Sequence, residues 1–371
     1  YDGEYKLMGL AAFGKENLKI RKKLKKILKF EDKKSIYELD PYFIHYGAHT
    51  YSGRFTDKLV KLLGLPKKSK DKFTNYHKDL AYEVQRLLEE CVLKLCQKYY
   101  KTTGIKNICL GGGVGLNVKL NSKIFNEKFV ENIFPNPLCP DNGASVGAGL
   151  LADIKLNKNK VKPLKTLSLG PNYKARYIEK LLIENQIKFI KPKNIYNYTA
   201  KLLAGKKVIG WFQGRMEAGP RALGNRSILG DPRSITTRDK INKIIKYREM
   251  WRPFCPSFLA EKVNNFFQKS YDSKFMTISF NAKDNLKKIA PAIVHVDKTC
   301  RIQSVDKKYN SRFYKLIQEY YKITKVPALL NTSFNIKGEP IVCSPNDALR
   351  TFFSTGIDVL VLEGYIILKK P

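Results

Sequence analysis

The sequence predicts an α/β chain of two domains, on three observations. Short apolar runs beside glycine or lysine, such as residues 105–110 and 208–212, alternate with helical periodicity, as in residues 77–100 and 195–204. That alternation is the pattern of strands and helices packed in layers. The 371 residues, 43% hydrophobic and 27% charged, suffice for two cores and exclude a disordered chain. Residues 154–169 (IKLNKNKVKPLKTLSL) are lysine-rich with no periodic apolar face, so the domains divide there, at 1–165 and 166–371.

Composition narrows the function. No apolar run approaches the ~18–20 residues of a membrane span, and no secretory signal is present. The chain opens YDGEYK without a methionine and reads as the downstream part of something longer. Seven cysteines without a C-x-x-C pair imply reduced thiols and a cytoplasmic protein, and argue against structural zinc. A net charge of +36 raises nucleic acid as a partner. The lysines are scattered from end to end, however, which is the pattern of solvated surface. Nonspecific polyanion binding at low salt is expected, and a specific nucleic-acid function is not.

Taken in order, residues 1–15 read as a short loop, and residues 18–30 as a basic amphipathic helix with Ile20, Leu24, Ile27 and Leu28 on one face. His45 and His49 share the i, i+4 spacing of a metal pair. Gly47 lies between them and no H-E-x-x-H glutamate is present, so a structural role is the better reading. A long helix follows at 77–100, closed by Gly104, then a strand at 105–110 leading into GGGVGLN and another helix. Strand, glycine turn and helix N-terminus together make a phosphate cradle, although this is neither G-x-G-x-x-G nor a Walker pattern. In FPNPLCPDNGASVGAG, Asp141 is placed to N-cap the next helix, whose small residues suit close packing on a sheet. Beyond residue 165 come helix 177–185, extended 188–190, helix 195–204 and strand 208–212. A short helix at 239–246, a strand ending in Asn331, Thr332 and Ser333, a helix at 345–353 and strands at 359–362 and 365–368 complete the chain.

The distinctive stretch is residues 210–233, GWFQGRMEAGPRALGNRSILGDPR. Of 69 Lys+Arg only 14 are Arg, and seven of those fall between Arg215 and Arg252. Glycine lets a backbone turn sharply, and arginine offers a planar fork that grips phosphate or carboxylate in two places. A chain that otherwise uses lysine has arginine where a fork matters, so this loop is read as an anion site.

The same stretch resembles the O-carbamoyltransferases of the nodulation and antibiotic-biosynthesis type. Matching segments run along most of the chain: EYKLMGLAAFG at the start, GGVGLN, PDNGA, GRMEAGPRALGNRSIL, KYREMWRPFCP, HVDKTCRIQSV and the closing VPALLNTSFN. Cys255 stands where the pattern has alanine, and Lys298 where it has glycine. The resemblance implies the second half of an actin-like (ribonuclease H-like) ATPase domain at 1–165. A YrdC-like twisted-sheet domain of α+β type would then occupy 166–371. It implies that carbamoyl phosphate and ATP give carbamoyl-adenylate, with Arg215, Arg221, Lys246, Arg248, Arg252 and Arg301 as catalytic cations. Asn225, Arg226, Asn331, Ser333 and His295 would bind substrate, and Gly111, Gly112, Gly113, Asn117 and Gly143 would face ATP with its Mg. It further implies transfer to a hydroxyl acceptor, a sugar or similar metabolite. Asp141 would hold Fe(II) or another divalent ion, with histidine partners upstream of this chain. On that basis the 371 residues alone are expected to release pyrophosphate without carbamoylating an acceptor. A tRNA threonylcarbamoylating enzyme is the nearest alternative and a basic nucleic-acid-binding protein a more distant one. A homodimer is compatible with the sequence.

Overall fold

The structure is a computed structural model that describes residues 3–31, 36–43, 55–68, 70–160 and 162–369. His45 and His49 lie outside the described residues. The chain forms two compact units, one of residues 1–109 and 119–134 and one of residues 110–118 and 135–371. No described helix is long and apolar enough to cross a membrane.

The first unit contains α1 (Gly3–Leu10), α2 (Leu18–Ile27), the β1–β2 hairpin (Leu28–Glu31 and Ile36–Leu39), α3 (Asp57–Leu63) and α4 (Asn75–Thr103). Strand β3 (Asn107–Leu110), α5 (Val118–Asn126) and strand β4 (Asn132–Pro135) follow, with β3 paired to β4. Helix α4 organises this unit, and Gly104 closes it with φ +69°. Its buried carboxylates grip the preceding segment: Asp79 accepts from Lys15 N (3.1 Å), and Glu83 from Asn17 N (2.8 Å) and Arg21 (2.9 Å). The opening residues are therefore helical where a loop was expected, because α1 packs on α4. A Cβ on Gly14 would stand 2.1 Å from the Lys78 carbonyl, so this glycine answers to helix packing. Helix α2 stops at Ile27, short of the expected residue 30, because Leu28 turns extended and pairs with Leu39.

The second unit begins with α6 (Asn142–Asn157), α7 (Ala175–Glu184), α8 (Ile195–Ala204), β5 (Ile209–Phe212), β6 (Arg226–Gly230), α9 (Ile235–Lys240) and β7 (Cys255–Leu259). It continues with β8 (Phe280–Asn281), α10 (Asp284–Ile289), β9 (Thr299–Cys300), β10 (Gln303–Val305) and α11 (Ser311–Thr324). Strand β11 (Ala328–Ser333), α12 (Pro345–Phe353), β12 (Val359–Leu362) and β13 (Tyr365–Leu368) close it. Seven strands form one mixed sheet in the order β10-β7-β11-β6-β5-β12-β13. The β10–β7 and β5–β12 pairs are parallel and the rest antiparallel. Every residue of β5, β6, β7 and β12 is buried, as in strands covered on both faces. Helices α8 and α11 pack together, α11 lies on β7 and β11, and α12 lies on β5 and β12.

Helix α6 departs from expectation twice. Asp141 already has helical angles (φ −53°, ψ −26°), so its carboxylate makes no capping bond. The small residues do not bring the helix onto a sheet: no α6 residue is buried, and Val146, Leu150, Leu151 and Ile154 are exposed.

Candidate functional site

One end of the seven-stranded sheet gathers the residues of interest, and strand register explains why. Phe212 at the end of β5 pairs with Arg226 at the start of β6, Ser227 pairs with Ser333 at the end of β11, and Asn331 pairs with Cys255 at the start of β7. Two strand residues span about 6–7 Å, so Ser333 and Cys255 lie within reach of one small ligand. The glycine–arginine loop, residues 213–225, joins β5 to β6 at this same end.

The loop is built around Glu217, which is 3% exposed. Its Oε1 accepts from Leu223 N (2.6 Å), Asn225 N (3.0 Å) and Arg226 N (3.2 Å), while Gly224 N donates to Ser227 Oγ (3.1 Å). Gly224 is needed for its φ of +100° and because Phe313 Cδ1 stands 2.1 Å from where a Cβ would be. Gly219, at φ +92°, brings the loop onto Leu138 of the aspartate loop. Leu138 joins Leu167, Leu223, Cys255, Phe275 and Met276 in one apolar cluster beneath the site.

Three cations at this sheet end are held by neutral acceptors. Lys246 Nζ is buried and donates to Ser333 Oγ (3.1 Å), Asn335 Oδ1 (2.6 Å) and the carbonyls of Ser333 (2.5 Å) and Asn335 (2.9 Å). Burial, with the charges of Arg248 and Arg252 behind it, pushes Lys246 well below its ordinary pKa. Arg248 Nε donates to Asn242 Oδ1 (2.6 Å), its guanidinium lies 4.3 Å from the Phe254 ring centroid, and burial plus Arg252 lower its pKa to about 9. Arg301 Nε donates to Cys255 Sγ (2.7 Å). The expected helix at 239–246 is α9 followed by a π-helical turn, Ile241–Ile245, a local widening often found at functional sites. That turn delivers Lys246 and places the buried Asn242 to hold Arg248 at both side chain and backbone and to donate to the Arg252 carbonyl (3.4 Å). The adjacent HVDKTC turn survives its lysine: Lys298 adopts φ +61°.

Other sequence candidates hold the architecture. Arg226 is fully buried, 3.5 Å from the Phe212 ring centroid, and donates to the carbonyls of Gln213, Gly214 and Asn225. Asn225 Nδ2 bonds Ser168 Oγ and the Arg215 carbonyl, both at 2.7 Å. Exposed Arg215 donates to the Leu169 and Gly170 carbonyls, and His295 pairs with Asp297 (3.2 Å). Asn331 Nδ2 donates to Ala222 O (3.1 Å) and Ser257 Oγ (2.9 Å), which ties the Arg221 segment to β11. Arg221 itself has buried Nε and Nη2 atoms.

Gly111, Gly112 and Gly113 are exposed with open space on the side a Cβ would take, and Gly112 has φ +75°, leaving room for a ligand against the backbone. Asn117 caps the end of the short 3-10 turn that follows. Gly143 instead answers to packing, since a Cβ there would meet the Leu138 carbonyl at 1.9 Å. Among the described residues no three side chains of the metal-binding types cluster, and Asp141 is exposed. A single exposed carboxylate does not fit a transition-metal centre, so no chemistry is derived through one.

Glu217, Asn242 and Asn335 were not among the sequence candidates. Their types carry no special signal, and only the folded backbone brings their acceptors to the loop and the cations.

Fold and side-chain geometry together define a mixed α/β chain with Lys246, Arg248 and Arg301 gathered at one end of its seven-stranded sheet. The chain belongs to the carbamoyltransferase family: the Carbamoyltransferase N-terminus model matches residues 1–150 and the Carbamoyltransferase C-terminus model residues 200–369. It is 37% identical over 374 residues to nodulation protein NolNO of Sinorhizobium fredii, covering 99% of this chain and 53% of that protein. It is 34% identical over 379 residues to nodulation protein NolO of Bradyrhizobium diazoefficiens, covering 99% and 66%. An uncharacterized Synechocystis protein is 36% identical, with 99% and 64% covered. The chain thus spans about half to two thirds of the length of these relatives. The structure of full-length HypF in its phosphate- and nucleotide-bound form aligns over 47% of this chain and 22% of that one, at TM-score 0.33 and 17% identity. That likeness is too slight to bear on fold or function.

Proposed function

We propose that the sheet-end site binds carbamoyl phosphate and, with ATP, forms carbamoyl-adenylate for transfer to a hydroxyl acceptor, a sugar or similar metabolite. The observation that carries this reading is the set of three cations, Lys246, Arg248 and Arg301, each held by neutral acceptors. Each of the three faces neutral oxygen or sulfur acceptors, so a small anion would supply negative charge at this sheet end. The family supplies the carbamoyl group, and carbamoyl phosphate carries the negative charge that these cations favour.

In this reading Arg248, Arg252, Arg301 and Arg221 neutralise phosphate oxygens as water cleaves carbamoyl phosphate into carbamate and inorganic phosphate. Lys246, fixed by four acceptors, meets the developing charge without reorganising. Ser333 beside it orients the carbamoyl group. The carbamate oxygen then attacks the α-phosphorus of ATP and pyrophosphate departs; in the transfer step an acceptor oxygen attacks the carbamoyl carbon and AMP departs. The open glycine turn at Gly111–Gly113 is proposed to take ATP phosphates. The family's actin-like and YrdC-like domain division accommodates these two steps and is proposed along with them.

Isothermal titration with carbamoyl phosphate tests the binding half. The wild type is expected to bind, and Arg301→Ala to weaken binding at least about 10-fold, the loss of roughly one charge-assisted contact. Equal affinity in the two proteins would remove Arg301 from the site.

A further inference from the structure

We propose that the amides of residues 223–226 form an anion-binding concavity whose resident anion is the chain's own Glu217 carboxylate. This internal anion positions Arg221. Only the catalytic consequence rests on the function proposed above.

Glycine-rich loops ordinarily offer backbone N–H groups to a phosphate. Here the amides are already occupied: three donate to Glu217 Oε1 and the fourth, that of Gly224, to Ser227 Oγ. Glu217 is a fixed base for this contact. It bridges Ser168, and its neighbours are clamped on both sides: Met216 N donates to Pro171 O (2.9 Å), Gly170 N to Met216 O (2.9 Å) and Ala218 N to Leu167 O (2.7 Å). The carboxylate therefore closes a short ring from residue 217 to residue 223, with Arg221 inside the ring and Gly219 turning the chain at φ +92°. Arg221 is held at a set distance from β11 because Ala222 O takes Asn331 Nδ2 at 3.1 Å. The carboxylate charge also stabilises the buried Arg226 guanidinium at the next bend. A substrate anion thus finds the backbone donors filled and must engage side chains, which makes arginine placement decisive.

The test uses the full chain. Glu217→Ala removes a group the size of acetate and leaves the amide concavity empty. Sodium acetate at tens of millimolar is expected to raise the melting temperature of the variant by several degrees more than that of the wild type, whose filled concavity reports acetate binding elsewhere. The variant's kcat/KM for carbamoyl phosphate should fall at least 10-fold and recover in part with acetate. Equal acetate shifts in the two proteins, or lost activity that acetate leaves unchanged while the melting temperature recovers, would overturn the proposal. If Glu217→Ala does not fold, Glu217→Gln decides: it keeps an acceptor oxygen of equal reach without the charge, and wild-type melting temperature and kcat/KM in that variant would rule out an anionic requirement. The acetate shift needs no catalysis, so a wild type inactive with carbamoyl phosphate would refute the proposed function and leave this inference to the melting data.

Discussion

Lys246 has an unusual electrostatic position, and its consequence is measurable. In the free protein, burial and the neighbouring Arg248 and Arg252 lower its pKa. A bound phosphate brings negative charge close and raises the pKa again, so binding takes up a proton wherever pH lies between the free and bound values. Below the free value Lys246 is charged in both states and affinity is flat with respect to it. As pH rises through that value affinity falls, until the bound form also deprotonates. Calorimetric titrations across the alkaline range should show proton uptake in buffers of different ionisation enthalpy, with Arg248 contributing as well, and Lys246→Met should reduce it. Proton uptake that Lys246→Met leaves unchanged would mean that the anion does not contact Lys246. The concentration of charge around this residue was legible in sequence, since Lys246, Arg248 and Arg252 stand together in KYREMWRPFCPSF. The acceptors that fix it, Ser333 and Asn335, lie some 90 residues away in sequence and meet it only through β11.

At the scale of elements, the loop depends on a backbone that only glycine supplies at residue 224. Gly224→Ala must accept both φ +100° and a methyl group 2.1 Å from the buried Phe313 ring. Chemical denaturation should show a loss of about 3 kcal/mol or more, combining left-handed strain with overpacking; a loss under about 1 kcal/mol would mean that α11 does not hold the loop as described. Elements set by local pattern were read correctly, and the helices at Ile195–Ala204 and Pro345–Phe353 and the strands at Val359–Leu362 and Tyr365–Leu368 have the expected bounds. Elements decided by partners were not. Helix α1 forms because α4 is beside it, and α6 stays exposed although its Gly/Ala-rich start suggested close packing. The π-turn at Ile241–Ile245 leaves no periodic trace, since it differs from an α-turn by one residue in its hydrogen bonds.

For the molecule as a whole, the arginine-rich composition of residues 215–252 identified the region, and the strand register shows why its parts converge. Phe212, Arg226, Ser333 and Cys255 occupy neighbouring positions at one sheet end, an arrangement no linear motif states. The aspartate loop and the arginine loop share one compact unit, joined where Gly219 meets Leu138. If the cations gathered at this sheet end activate a carbamoyl group, pyrophosphate release reports it. The purified chain, given ATP and carbamoyl phosphate, is predicted to release pyrophosphate only when both are present. Arg221→Lys, which retains charge but loses the planar fork, is predicted to lose on the order of 100-fold in rate. Pyrophosphate release that ignores carbamoyl phosphate, or that Arg221→Lys leaves unchanged, would mean that these cations do not activate a carbamoyl group.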